Sequence, residues 1–116
     1  MRRLAAPFVA CALLALPAVL VPTSPASAAD GDVTIVIKDH KFEPSEVTVP
    51  AGKRVTLVVE NQDATSEEFE SGPMKVEKII GPKRTARISV GPLEPGSYNF
   101  FGEFNPKTAQ GTLIAK

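Results

Sequence analysis

The chain has 116 residues, 43% of them hydrophobic and 22% charged, with 13 basic residues balancing 13 acidic ones, 1 Cys and no Trp. That is enough chain for one small domain. The even charge excludes the basic footprint by which proteins hold nucleic acid or an anionic membrane.

At the N-terminus, Arg2 and Arg3 precede the apolar run LAAPFVACALLALPAVLV and then Ala26-Ser27-Ala28. A charged start, an apolar middle and a small-residue cleavage site are the pattern of a secretory signal peptide. Pro7, Pro17 and Pro22 argue against reading the run as a stable membrane span. The expected organisation is therefore a signal peptide over 1–28 and one domain over 29–116, exported to the periplasm or outside the cell. Loss of Arg2 and Arg3 leaves 11 basic against 13 acidic residues, a net charge of −2. Cys11 leaves with the signal. The remaining chain has no thiol, which excludes disulfides, cysteine nucleophiles, Cys-ligated zinc and iron–sulfur clusters.

Residues 29–116 read as short β-branched runs. From Asp32 to Lys38, Val33, Ile35 and Ile37 alternate with Thr34, Val36 and Lys38, the period of a strand with one face in a core. The alternation recurs through Val47 and Val49; Val55, Leu57 and Val59; Ala86, Ile88 and Val90; Tyr98 and Phe100; and Thr112 and Ile114. Turn formers separate the runs: Pro44-Ser45, Pro50-Ala51-Gly52, Asn61-Gln62-Asp63, Ser71-Gly72-Pro73, Gly81-Pro82, Pro95-Gly96 and Asn105-Pro106. Proline presets φ for a turn, glycine permits positive φ, and Asn and Asp bond their own backbone. No window holds helical spacing. The expectation is an all-β sandwich of seven or eight strands, a class that hosts many functions.

The segments FEPSEVTVPAGKRVTLVVENQD and PLEPGSYNFFGEFNPKTAQGTLIA, with the signal peptide, resemble bacterial cupredoxin-like proteins. The branch is similar to the cupredoxin domain of EfeO-type iron-uptake proteins, and the resemblance runs from Val33 to Ala115. It implies a Greek-key β-sandwich with a metal site at one end, built from the loop after the strand ending near Glu60 and the loop after Phe101. In blue copper relatives the first loop supplies a His and the second a Cys, a His and usually a Met. Spacing from Asn61 puts the first His at Glu67, or at Glu68 if the loop is one residue longer. Spacing from Tyr98 puts the Cys at Gly102, the second His at Asn105 and the Met near Gln110. The branch instead offers carboxylates, at Glu67, Glu68, Glu70 and Glu103, and relatives commonly carry His at the position of Asn105.

Oxygen ligands with at most one imidazole suit Fe(III), Mn(II) or Ca(II), and Cu(II) accepts mixed nitrogen and oxygen, whereas type 1 copper needs a thiolate. The expected cargo is an iron or copper ion, and the expected ligands are Glu67, Glu68, Glu103 and Asn105, with His40 as a further one. Each has a plainer reading. His40 would be an exposed turn residue, the glutamates a solvated polar loop, Asn105 a turn cap before Pro106, and Met74 a gap-filling apolar residue. If Phe69 points inward, Glu68 and Glu70 share the opposite face and Glu67 lies on the side of Phe69. Glu103, flanked by aromatic residues, would have a raised pKa unless compensated by a metal or by Lys53, Arg54 or Lys107. By position, Glu103 should matter most and Glu70 less.

No ordered Ser-His-acid set, phosphate-cradling glycine loop or Trp-lined groove is present, so a non-enzyme is expected. The two functional readings are a metal-binding protein that captures or presents an ion for uptake, with an iron permease or another periplasmic uptake component as partner, and a structural interaction domain whose metal site has decayed.

Overall fold

The alternating runs become strands throughout residues 31–116, the part of the chain that a computed structural model describes; the proposed signal peptide and Cys11 lie outside the described residues. In chain order the strands are β1 (Asp32–Lys38), β2 (Lys41–Glu43), β3 (Glu46–Val49), β4 (Val55–Asn61), β5 (Glu67–Ser71), β6 (Val76–Ile80), β7 (Thr85–Val90), β8 (Gly96–Gly102) and β9 (Gln110–Ala115). They form a four-stranded sheet in the order β2-β1-β4-β7 and a five-stranded sheet in the order β3-β9-β8-β5-β6. β1 pairs parallel to β4 and β3 parallel to β9, and the remaining pairs are antiparallel.

The inner faces of the two sheets supply the core. Ile35, Ile37, Leu57 and Val59 come from one sheet, and Val49, Phe69, Phe100 and Leu113 from the other; each is fully or almost fully buried. Phe42, Phe69 and Phe100 meet at its centre, with ring centroids 4.9 to 5.8 Å apart, within the range in which aromatic pairs attract beyond their buried area.

Nine strands stand where seven or eight are expected. β2 is only three residues long with one inward residue, Phe42, too short to carry a period. β5 is EEFES, buried at four of its five positions, so polarity does not track burial. What reads as a polar loop over Glu67–Glu70 is this strand. β6 follows it through a four-residue turn, with Pro73 in the turn and Lys75 at φ 56°. In β9 the core side carries Leu113 and Ala115 instead of Thr112 and Ile114, because Leu113 lies across from Val47 and Tyr98 and Ala115 from Val49.

Candidate metal centre

β4 and β8 leave their sheets at the same end of the sandwich, and side chains fasten the loops there. Asn61, buried at the end of β4, shares its amide hydrogens among the carbonyls of Thr65, Ile80 and Gly81, and its Oδ1 accepts from the Asp63 N–H. Asp63 in turn accepts from the N–H groups of Asp39 (2.8 Å) and His40 (3.0 Å). Those two residues form the two-residue β1–β2 turn and both have positive φ, 52° and 59°, a backbone state that Asp and His tolerate better than most side chains do. The His40 N–H bond is the chief reason the Asp63 carboxyl lies below its ordinary pKa; the Asp39 N–H and the nearby His40 and Lys83 act the same way, against burial. His40 Nδ1 lies 3.7 Å from Asp63 Oδ2. The Asn and Asp of the ENQD motif are thus scaffolding for this end.

Glu67, the first residue of β5, points inward and is 2% exposed. Its Oε1 accepts from the N–H groups of Glu68 (3.0 Å) and Phe104 (2.9 Å), and its Oε2 accepts from Asn105 Nδ2 at 2.6 Å. Gly102 packs directly against it: a Cβ there would lie 2.6 Å from Glu67 Cδ and 2.7 Å from Ala109 Cβ. Glu67, Gly102 and Asn105, positions that the resemblance equates with His, Cys and His, therefore do converge, and they do not fit thiolate-ligated copper. Where a thiolate would stand there is no room for one carbon atom. The two histidine positions hold a carboxylate and an amide bonded to each other.

The other face of β5 carries the remaining acids. Register places Glu68 across from Ile79 and Glu70 across from Glu77 on β6, with Phe101 across from Glu70 on β8. The Glu103 N–H donates to the Glu68 carbonyl at 3.1 Å, continuing the β8 ladder by one residue. Directly opposed residues project to the same face, so four glutamates occupy one small outer patch with Ile79 and Phe101. Ligand oxygens of Glu68, Glu70 and Glu103 all lie within 4.8 Å of one another. Among the described residues the ion pairs are His40–Asp63 and Arg87–Asp32, so Lys53, Arg54 and Lys107 do not compensate Glu103. Hydrogen bonding with the Glu77 carboxyl, reinforced by desolvation and by Glu103, pushes the Glu68 carboxyl up to about 7. Burial and Glu103 raise that of Glu70.

The expected site is therefore split. Glu68 and Glu103 come together, joined by Glu70, which sequence position ranked below them, and by Glu77, which alternation along VEKII would have revealed once β6 was recognised. Glu67 and Asn105 come together on the inner side. His40 is held at Asp63. Glu103 itself is exposed, and the buried acid of the outer patch is Glu68, at 5% exposure. Met74 packs into the core edge.

The chain belongs to the cupredoxin-like domain family, whose model matches residues 9–115; the match begins inside the segment read as a signal peptide. It is 47% identical over 83 residues to the uncharacterised protein RP394 of Rickettsia prowazekii (strain Madrid E), covering 72% of this chain and 66% of that protein. It is 40% identical over 93 residues to the iron uptake system component EfeO of Yersinia pseudotuberculosis serotype I, covering 76% of this chain and 24% of EfeO. The chain thus spans about two thirds of one of these relatives and a quarter of the other. Among solved structures it resembles auracyanin A, a blue copper protein of Chloroflexus aurantiacus, with a TM-score of 0.63 at 18% identity over 73% of this chain and 98% of that one. Amicyanin from Paracoccus versutus gives 0.59 at 21% identity over 81% and 86%. The fold is that of the cupredoxins.

Proposed function

We propose that this chain is an exported, non-enzymatic cupredoxin-like protein that captures or presents an iron or copper ion for uptake. The ion would be held on the outer face of β5 by Glu68, Glu70 and Glu103. The observation that carries the reading is the convergence of three carboxylates within 4.8 Å with, among the described residues, no cationic side chain paired to any of them. Like charges opposed across strands destabilise a sheet, and a bound cation removes that cost. All-oxygen ligation suits Fe(III) or Mn(II), and Cu(II) is tolerated. The similarity to EfeO supports iron uptake as the setting, with a permease or another uptake component as the receiving partner. A thiolate electron carrier is set aside because Gly102 stands at the cysteine position.

A second reading, a structural or interaction sandwich without metal, draws on the Glu67–Asn105 bond, which fills the old metal position with protein. Calorimetric titration of the exported protein with Fe(III)-citrate, Cu(II) and Mn(II) separates the two. The metal reading expects saturable binding of at least one ion, weakened in Glu68→Gln and in Glu103→Gln, and no intense blue band with Cu(II). Failure of all three ions to bind, or binding unchanged in both variants, favours the structural reading.

A further inference from the structure

We infer that Glu67 is a metal-independent clamp: its carboxylate fills the former metal position of the fold and, by holding Phe104 and Asn105, positions Glu103 against Glu68. The second half rests on the metal-binding reading above; the first half does not.

The carboxylate is already satisfied by the protein. Both oxygens are engaged, by two backbone N–H groups and one side-chain amide, so protein donors already supply most of the acceptor capacity of this buried carboxylate and hold its charge without an ion. The amide orientation follows from the same contact. Turning Asn105 over to offer its oxygen to a metal would set two oxygens 2.6 Å apart. Gly102 belongs to the clamp because the carboxylate occupies the space next to its Cα. The loop beyond β8 is closed on itself by Asn105 N–H to Gly102 O (3.1 Å) and Ala109 N–H to Asn105 O (2.9 Å).

The consequence for Glu103 is geometric. Three successive N–H groups, of Gly102, Glu103 and Phe104, are each bound by a different acceptor: the Ala109 carbonyl (2.9 Å), the Glu68 carbonyl (3.1 Å) and Glu67 Oε1 (2.9 Å). The backbone of Glu103 is thereby fixed on both sides, while its exposed side chain is set over the outer face. One acid on the inner side of β5 orders a loop whose acid faces outward, so Glu67 is a positioning residue and not a ligand.

The test uses protein purified after export from cells expressing the full chain, stripped of metal with EDTA. Amide hydrogen exchange should find the Phe104 N–H protected in the metal-free wild type, with protection lost by roughly tenfold or more in Glu67→Ala. Asn105→Ala, which removes one bond and keeps the carboxylate, should lower it less. In Mn(II) titrations both variants should lose about 10- to 100-fold in affinity, the usual effect of losing a partner that orients a ligand. Asn105→Asp separates clamp from ligand: a new carboxylate beside a ligating Glu67 would tighten Mn(II) binding, whereas beside a clamp it repels Glu67 and weakens both Phe104 protection and binding. A Phe104 N–H that is protected only after metal is added, or tighter Mn(II) binding in Asn105→Asp, overturns the clamp. If the wild type binds no ion, the metal reading and the positioning of Glu103 for it fall together, and the exchange data on metal-free protein still decide whether Glu67 clamps the loop.

Discussion

Glu68 and Glu103 lie directly across from each other where β5 meets the end of β8, joined by a 3.1 Å bond from the Glu103 N–H to the Glu68 carbonyl, and their carboxylates face the same side of the sheet. Glu70 and Glu77 form the next row of that face. The Glu68 carboxyl, raised to about 7, and the Glu70 carboxyl, also raised, are held above the values they would have in the unfolded chain. A raised folded value means that the contribution to stability is fully present below the unfolded pKa and is lost as pH rises through the folded one. In metal-free buffer the Tm should therefore fall between about pH 5 and pH 8. Glu68→Gln should flatten the fall, and a bound ion should restore the Tm at pH 8. Thermal melts across that range, with and without EDTA, check all three.

Asp63 has the opposite sign. Its carboxyl is lowered, first by the His40 N–H, so its contribution is present above the unfolded value near 4 and is lost as pH falls through the lower folded value. Asp63→Ala removes two bonds to a turn whose two central residues both have positive φ. It should cost about 1–3 kcal/mol at pH 7, as expected when charge-assisted bonds are lost. The cost should shrink at acid pH as the wild-type carboxyl protonates, which denaturant unfolding at pH 7 and in acid would measure.

What was legible in the residues is what a period can encode. β1, β4 and β7 pack one face inward, so Ile35, Ile37, Leu57, Val59, Ile88 and Val90 could be read directly. β5 could not, because its Glu67 and Glu68 are both buried, at 2% and 5% exposure, so polarity there does not mark a surface. The alternation argument applied to Phe69 did separate Glu68 and Glu70 from Glu67. It could not reveal that Asn105 would answer Glu67 from across the loop, since only tertiary structure brings residues 38 positions apart to 2.6 Å. The placement of His40 is hidden for a related reason: the two-residue turn that holds it takes its identity from φ and from Asp63, neither of which periodicity shows.

Glu70 should count as much as Glu103 in metal binding. Sequence position set it further from the end of the sandwich, yet its ligand oxygen lies within 4.8 Å of those of both Glu68 and Glu103. Removing any one of three charged oxygen ligands lowers the charge count on which affinity for hard cations depends. Glu70→Gln and Glu103→Gln should therefore weaken Mn(II) or Fe(III)-citrate binding to a similar degree, on the order of tenfold or more. Side-by-side calorimetry of the two variants checks the ranking, and an unaffected Glu70→Gln would restrict the site to Glu68 and Glu103.

Gly102→Ala tests how tightly the inner side of this end is filled. The added methyl would meet Glu67 Cδ at 2.6 Å and Ala109 Cβ at 2.7 Å. Neither neighbour is free to move: Glu67 is held by three hydrogen bonds, and Ala109, fully buried, by bonds from its N–H to Asn105 and to its carbonyl from the Gly102 N–H. Overfilling a packed site of this kind costs about 1–3 kcal/mol, and the cost should appear in denaturant unfolding as a lower midpoint at an unchanged slope. Glu67→Ala is expected to be destabilising by itself, since it leaves the Phe104 N–H and the Asn105 amide without their acceptor. The two changes should not add. Removing the Glu67 carboxylate relieves one of the two close contacts of the new methyl and leaves the one with Ala109 Cβ, so the double variant should be more stable than the sum of the single costs implies. The coupling should fall within the roughly 0.5–3 kcal/mol seen for residues in direct contact. Additive costs would mean that Glu67 and Gly102 do not share the space the structure assigns them.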